Sequence, residues 1–232
     1  MLLIDNPYTN PYFNIALEEH LLKQYSESVF MLYCNKPSVI VGKHQNTLAE
    51  INTAFVHKYQ LPVVRRISGG GTVYHDLGNL NYSSIMTTEK GKMVDFKRYT
   101  RPVQQVLSDL GIETYYAKNN SLFTNGLKIS GNAEHVFKQR VLHHGTLLFQ
   151  ANLDKLNESL QVDTSRYRSK AVQSIRSRVV NIAGLLEQPL SLSDFKQKLF
   201  EAMQAEYSRA VYHALNDEDI KAVNKLADEK YR

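Results

Sequence analysis

The residues best suited to chemistry stand together between positions 65 and 79: Arg65-Arg66-Ile67-Ser68-Gly69-Gly70-Gly71-Thr72-Val73-Tyr74-His75-Asp76-Leu77-Gly78-Asn79. Three consecutive glycines carry no Cβ, so their backbone can reach positive φ and press against a ligand. Their N–H groups can then point into one concavity and receive an anion. Arg65 or Arg66 would add a planar, permanently charged fork for a phosphate or carboxylate. Residues 61–64 and 80–86, on either side, read as strands, which puts the cradle at a strand edge. No G-x-x-x-x-G-K-[ST] occurs, and no helix follows the glycines as the dinucleotide fingerprint requires. The competing reading is a β-bulge or tight hairpin that simply needs glycine.

A second cation is useful where charge develops as a phosphate is attacked or released. Lys128 is the candidate. It lies two residues beyond Asn125-Gly126, the preferred pair for a type I′ hairpin, and Ser130-Gly131 soon follows. Otherwise it is an ordinary solvated strand lysine. His143-His144 does not read as a metal pair, because adjacent strand residues face opposite sides. One is expected to be buried and hydrogen-bonded, the other exposed. His75-Asp76 resembles a base with its orienting carboxylate, but no serine stands in a nucleophile elbow. Cys34 is the sole cysteine, which excludes an internal disulfide and a multi-cysteine metal site. Only Lys36 is at hand to activate it, and a buried, inert thiol is expected. Glu18 and Glu19 read as a solvated helix face.

The elements that must position these groups follow from the pattern. Residues 1–4 form an edge strand, and Asn10-Pro11 opens a helix with Phe13, Leu17 and Leu21 on its buried side. Strands follow at 29–34 and 38–42, then a polar loop at 43–46 and a short helix over 52–59. Residues 87–99 read as a loop, and a helix carrying Val103, Val106, Leu107 and Leu110 ends at Gly111. A brief strand at 113–116, the hairpin 121–130, a strand over 141–149 and a helix over 152–160 come next. Arg166, Arg168, Lys170, Arg176 and Arg178 crowd a basic surface loop, and helices capped by Ser193 and running over 217–229 close the chain. About five strands among helices, with hairpins, indicate an α+β (mixed α/β) fold.

At 232 residues and 43% hydrophobic, the chain can bury a substantial core, as one large domain or two small ones. A net charge of +5 favours anionic partners. The basic residues lack interleaved aromatics, so nucleic acid is not expected. No apolar run is long enough for a bilayer and no signal pattern opens the chain; no membrane association and a cytoplasmic location are expected.

Taken together, these blocks resemble the lipoate–protein ligase A family. The likeness runs through Tyr33-Cys34-Asn35-Lys36-Pro37-Ser38-Val39-Ile40-Val41-Gly42 and the 65–79 stretch. It continues in Lys128-Ile129-Ser130-Gly131-Asn132-Ala133 with His143-His144-Gly145-Thr146-Leu147, and in Ser174-Ile175-Arg176-Ser177-Arg178-Val179. The resemblance implies the biotin/lipoate–protein ligase fold, a mixed sheet flanked by helices. The whole chain, 1–232, would be one catalytic domain, without the small C-terminal accessory domain of many relatives. It implies that ATP and lipoate form lipoyl-AMP, with Mg²⁺ expected but no ligand assigned, and that a lipoyl-domain lysine then takes the acyl group. Lipoyl domains of 2-oxoacid dehydrogenase E2 subunits and the glycine cleavage H protein would be partners, with an accessory subunit as a further one. Arg66, Gly71, Thr72, Val73, Tyr74 and Lys128 would hold the nucleotide. Lys128, Ser68, Tyr33, His75 and Ala133 would hold lipoate, and Lys128 would be catalytic. Asn120-Ser121 stands where the family commonly has Asn-Asp. The alternatives are a transfer-only lipoyltransferase or half of a two-subunit ligase, an acyltransferase using Cys34, and a non-catalytic binding module.

Overall fold

The structure, a computed structural model, describes residues 1–88, 94–117, 120–162 and 170–232. Among these, strands form at β1 (Leu2–Asp5), β2 (Val29–Cys34), β3 (Ser38–Val41), β4 (Val63–Arg65), β5 (Val73–His75), β6 (Asn79–Thr87), β7 (Tyr115–Ala117), β8 (Ser121–Thr124), β9 (Leu127–Phe137), β10 (Arg140–Leu148) and β11 (Val211–Tyr212). The helices are α1 (Pro11–Gln24), α2 (Thr53–Lys58), α3 (Phe96–Asp109), α4 (Leu153–Ser159), α5 (Leu192–Glu206) and α6 (Asp217–Leu226). An eight-stranded mixed sheet runs β11-β1-β2-β6-β10-β9-β8-β7, and a three-stranded sheet runs β4-β3-β5. The expected class, helices flanking a mixed sheet, is what forms. Residues 1–4 are not an edge, because β11 adds in parallel beyond β1. No described helix is long and apolar enough to cross a membrane.

The large sheet is buried on both faces, which is why β2 is an unbroken apolar run rather than an alternating one. Phe30 and Leu32 join Val103, Val106 and Leu107 of α3 and Phe195 and Leu199 of α5. Val29, Met31 and Tyr33 turn the other way, toward Phe13, Ile15, Leu17 and Leu21 of α1. Each fully buried side chain of this size stabilises the fold by about 1.5–3 kcal/mol relative to exposure. Helix starts follow local capping chemistry. Asn10 accepts from the N–H groups of Tyr12 and Phe13 at the mouth of α1, with Pro11 as the first helical residue. Asp95 caps α3, which absorbs Pro102 in its interior, so the expected loop over 87–99 is only partly one; 89–93 lie outside the described residues. Ser191, not Ser193, caps α5.

The expected solvated face of α1 does not exist. Glu18 and Glu19 are both buried, 1% and 2% exposed. Glu19 accepts from Lys23 at 2.5 Å, from Lys230 at 2.7 and 2.8 Å and from the Tyr231 hydroxyl, so the end of the chain docks on α1 through one carboxylate. The sequence pattern placed these glutamates outside because charge is normally solvated. For Glu19, partners from residues 230 and 231, more than 200 positions away, satisfy the charge instead.

This docking predicts a pH signature. Burial acts to raise the Glu19 pKa, but the bonds from Lys23, Lys230 and Tyr231 outweigh it and hold the carboxyl down to about 2, against an ordinary 4.5. A depressed folded value means stability that is complete above the unfolded pKa and is lost as pH falls from 4.5 through about 2. Urea unfolding across that window should show the wild type losing more stability than Glu19→Gln. Parallel pH curves for the two proteins would remove this carboxylate from acid unfolding.

Candidate active site

A cavity of about 260 Å³ lies between the α1-facing side of the large sheet and the small sheet. Its walls come from elements far apart in sequence: Tyr33 of β2, Asn81 of β6, Lys128 and Ala133 of β9, His144 of β10, and Val73 and His75 of β5. Arg66, Gly71 and Thr72 of the glycine stretch line it too. Eight of the ten residues singled out by sequence therefore meet at one hollow.

Tyr74 and Ser68 do not line it. Strand alternation in β5 sends Val73 and His75 inward and Tyr74 outward, into a small core with Val39, Val41 and Ile51. Ser68 lies fully buried behind the wall. Its Oγ accepts from Arg66 Nε at 2.9 Å and sits 2.6 Å from His144 Nε2.

Arg66 is not an open fork either. Nη1 donates to the Ile40 carbonyl at 3.2 Å, and Nη2 to those of Gly69 and Gly71 at 2.6 and 2.7 Å. With the bond to Ser68, four of its five N–H groups are spent on the protein. Burial lowers its pKa to about 10, with Glu18 and Tyr33 acting in the opposite direction. Arg66 thus shapes the glycine loop, and Arg65 ties down the neighbouring one through the carbonyls of Gly42 and Gln45 at 2.9 and 2.8 Å. Within the triplet, Gly70 alone has positive φ, at 85°. A Cβ on Gly42 would lie far inside contact with the Gly70 carbonyl, so the two loops need glycine where they cross. Among the described residues nothing comes within 4 Å of the position a Cβ on Gly69 would take.

Thr72 is engaged as well. Its N–H donates to Ser174 Oγ at 2.8 Å and its hydroxyl to Gln45 Oε1 at 2.8 Å. Ser174 in turn donates to the buried Glu50 carboxylate. The 172–175 segment therefore lies on the cradle, and a phosphate accepting from Thr72 N–H has to displace Ser174. Of the basic loop, Arg166 and Arg168 lie outside the described residues.

Lys128 owes its place to the expected Asn125-Gly126 turn, whose residues have φ 48° and 77°. A bulge against Leu122 and Phe123 interrupts the ladder beside it. Its backbone is held between the Arg178 carbonyl, 2.8 Å from its N–H, and the Val180 N–H, 3.1 Å from its carbonyl. Among the described residues its ammonium has no hydrogen-bond partner. Burial, then the positive charge of Arg66, lowers its pKa. An amine in that setting gains from any anion brought beside it.

Sequence reasoning missed the groups behind the wall. His144 Nδ1 lies 2.8 Å from Glu18 Oε2, Tyr33 donates to Glu18 Oε1 at 3.0 Å, and Ser83 Oγ donates to the same oxygen. Burial pushes the Glu18 pKa up, yet His144, Ser83 and Tyr33 outweigh it and bring it below its ordinary value. His143, expected to differ from His144 in exposure, is also buried and pairs with Glu134 at 2.9 Å on the opposite face. His75 is not oriented by Asp76. It meets Asn35 at 2.9 Å, while Asp76 accepts from the backbone of Gly78, Asn79 and Asn152. Cys34 lies outside the cavity lining, and burial raises its pKa to about 11, which opposes a thiolate nucleophile. Among the described residues no cluster of three His, Cys, Asp or Glu could hold a metal.

A family model described as the lipoyl protein ligase A/B catalytic domain matches residues 10–204. The chain belongs to that family. Lipoate--protein ligase 1 of Staphylococcus aureus is 40% identical over 230 residues, covering 98% of this chain and 70% of that protein. Two solved structures share the fold at 22% identity and TM-score 0.83. One is a putative lipoate protein ligase of T. acidophilum with bound lipoic acid, matched over 98% of this chain and 94% of the other. The second is a lipoate-protein ligase A bound with ATP, matched over 99% and 94%.

The family member's buried ion network has a measurable weight. Glu18→Ala would strand His144, Tyr33 and Ser83 without an acceptor. Breaking such a pair costs about 3–5 kcal/mol. Glu18→Gln, which keeps one carbonyl acceptor, should cost less. Urea midpoints would rank wild type above Gln above Ala; an Ala variant as stable as wild type would show the network to be dispensable.

Proposed function

We propose that this chain is a lipoate–protein ligase whose cavity activates lipoate with ATP and passes the acyl group to a lysine of a lipoyl-domain protein. The observation that carries the reading is two cations, the buried Arg66 and the partly buried Lys128, lining one cavity that no described carboxylate lines. Lipoate's carboxylate attacks the α-phosphate, pyrophosphate leaves and lipoyl-AMP forms. The incoming amine then adds to the acyl carbon, the C–O bond to phosphate breaks, AMP departs with the electron pair, and the amine nitrogen loses a proton.

Lys128 suits both steps. Its unpaired, desolvated ammonium is strengthened by low local polarity and can neutralise the α-phosphate oxygens and the acyl oxygen. The glycine loop, held by Arg66, offers backbone N–H groups to the phosphates. Ile15, Ile40, Val73 and Ala133, with the ring of Tyr33, form an apolar slot for the acyl tail. The Tyr33 hydroxyl is turned away to Glu18, leaving its ring toward the slot. For Mg²⁺ the described lining residues provide only neutral oxygens, those of Asn120, Ser121 and Asn132 among them. That set fits an ion carried by the triphosphate with most of its water retained, rather than a protein-held one. Lipoyl domains of 2-oxoacid dehydrogenase E2 subunits and the glycine cleavage H protein are the acceptors this chemistry suits. A transfer-only enzyme, completed for adenylation by an accessory subunit, is the second reading. Ser174 lying on the cradle favours it, since entry of ATP must move that segment.

The deciding assay supplies apo lipoyl domain with ATP plus lipoate, and in parallel with lipoyl-AMP. Modification in both is expected; modification with lipoyl-AMP alone selects the transfer-only reading, and neither refutes catalysis. Lys128→Ala should lower transfer by about 100-fold or more, the scale of losing one charge-stabilising donor, with an unchanged circular dichroism spectrum.

A further inference from the structure

The face of the large sheet turned away from α1 carries a hydrogen-bonded file that no step above uses. It begins at Glu134 of β9, whose side chain is 3% exposed and lies 2.9 Å from His143 Nδ1 through Oε1. His143 Nε2 lies 3.3 Å from the Tyr82 hydroxyl, and that hydroxyl donates to Asn132 Oδ1 at 2.5 Å. Asn132 Nδ2 donates to the Asn120 carbonyl at 3.1 Å, and the Asn132 backbone N–H donates to the same carbonyl at 3.0 Å. Asn120 and Asn132 line the cavity. Strand register brings these groups together: Glu134 stands opposite His143, and Gly145 stands between Asn132 and Tyr82. A Cβ on Gly145 would collide with Asn132 Oδ1 and with the Tyr82 ring, so glycine is what leaves room for their bond.

The direction of the file is decided at its cavity end. A carbonyl can only accept, so Asn120 draws the NH₂ of Asn132 to its side and leaves Oδ1 facing Tyr82. Tyr82 has one O–H, and Oδ1 takes it. The Tyr82 oxygen can then only accept from His143, so Nε2 carries a proton. A proton is needed between Nδ1 and Glu134 as well, or two acceptors would face each other at 2.9 Å in a dry site. The pair therefore holds one proton more than a carboxylate beside a neutral imidazole. Burial and the charge of Asp95 push Glu134 up to about 8, while burial and the charge of His144 hold His143 down to about 3, which puts that proton on Glu134. Glu134 Oε2 and the hydroxyls of Tyr99 and Tyr116 have no hydrogen-bond partner, which suits an uncharged acid. Among the described residues, the ionisable groups facing Glu134 are Asp95, Tyr99, Tyr116, Tyr82 and His143, with Arg98 beyond Tyr99.

We infer that Glu134 is a positioning residue for the cavity: the proton it shares with His143 keeps the Tyr82 hydroxyl on Asn132 and so holds the Asn120 wall in place. Loss of that proton reverses the file. A Glu134 carboxylate must accept, so the ring proton moves to Nδ1, Nε2 becomes an acceptor, and the Tyr82 O–H turns to it. Asn132 Oδ1 then loses its donor, and Asn120 loses an amide fixed in orientation. One proton goes to solvent; the imidazole keeps its single proton, moved from one nitrogen to the other. The ring is stacked on Tyr99 at 5.2 Å and edged by Phe96 at 5.6 Å, so the proton moves rather than the ring. The file itself stands apart from the lipoate reading; only its effect on ligand binding rests on that reading.

The test uses side-chain ¹⁵N–¹H correlation spectra of the full chain, with His143→Gln for assignment. At pH 7 a proton on His143 Nε2 is expected; a bare Nε2 overturns the proposal. Raising the pH through about 8 should move the ring proton to Nδ1 and shift the Asn132 amide resonances with the same midpoint. Asn132 signals that ignore the His143 step overturn the link to the cavity. Glu134→Gln puts a permanent amide donor in place of the acid and should abolish both steps; a step that survives there has another source, and the proposal fails. Tyr82→Phe should keep the His143 step and uncouple Asn132 from it, a separation that damage to the fold would not produce. Binding of lipoyl-AMP should weaken about 3- to 10-fold from pH 7 to pH 9 in the wild type, the scale of one hydrogen bond, and not in Glu134→Gln. Equal weakening in both proteins means that the wall does not depend on Glu134. If lipoyl-AMP binds to neither protein at either pH, the ligase reading fails, and the spectra still decide whether the file works as described.

Discussion

The cavity depends on how one guanidinium is kept out of water. A buried arginine is tolerated only when its N–H groups find acceptors, and Arg66 takes those acceptors from the loop it organises. The carbonyls of Gly69 and Gly71 are drawn toward it at 2.6 and 2.7 Å. Because a trans peptide is planar, with N–H and C=O on opposite sides, the N–H groups of Gly70 and Thr72 must point the other way. The hydrogen bond from Thr72 N–H to Ser174 bears this out. The outward-facing N–H groups of the glycine loop are thus the reverse side of an arginine-binding site. The glycines are needed less for touching a phosphate than for letting the chain turn its carbonyls inward, with Gly70 at φ 85° taking the strain.

The charge so buried is balanced at a distance. From Arg66 the path runs through Ser68 and His144 to Glu18, each link 2.6–2.9 Å. The next residue in β10, His143, points through the sheet to Glu134, also at 2.9 Å. These two histidine–carboxylate pairs sit back to back, yet their carboxyls are treated differently. Glu18 has donors from Tyr33 and Ser83 besides His144, and its pKa falls below the ordinary value. Glu134 has burial and the nearby Asp95 against it, and its pKa rises to about 8. One oxygen of Glu134 has no partner among the described residues. A charged carboxylate therefore backs the cavity, while the opposite face holds a carboxyl that stays largely protonated at neutral pH. Local donor supply, rather than depth, decides which.

Much of this was legible from sequence where the physics is local. The Asn10-Pro11 start of α1, the Asn125-Gly126 turn and the positive-φ bend at Gly70 each follow from a few adjacent residues. Convergence of Lys128 with the glycine stretch followed from the family blocks, since nothing in spacing alone brings residues 66 and 128 together. What stayed hidden depended on distant partners. Glu18 and Glu19 look solvated until Ser83, His144, Lys230 and Tyr231 are placed around them. Ser174 lies in one of the family-like blocks, but its contact with Thr72 requires a chain reversal no local pattern encodes. Asn14 and Asn35 are the sharper omission. A polar residue on the buried side of an otherwise apolar helix, and an asparagine just after a buried strand, both announce that something polar must be met inside.

The placing of carboxylates completes the electrostatic logic. Glu18 and Glu50 each stand one side chain behind the lining, the first through His144 and the second through Ser174. A carboxylate in contact with a phosphate, about 4 Å away, would oppose it by on the order of 4 kcal/mol per unit charge at an effective dielectric of about 20; doubling the separation halves this. The same setback barely weakens the acids' hold on their own partners, which they touch. The cavity therefore presents cations and donors to whatever enters while the compensating negative charge is buried one layer back. Such layering admits a polyanion with an apolar tail and disfavours a cationic ligand, which would meet Lys128. Selectivity for an acyl phosphate anhydride then comes as much from where the acids are kept as from where the bases are shown.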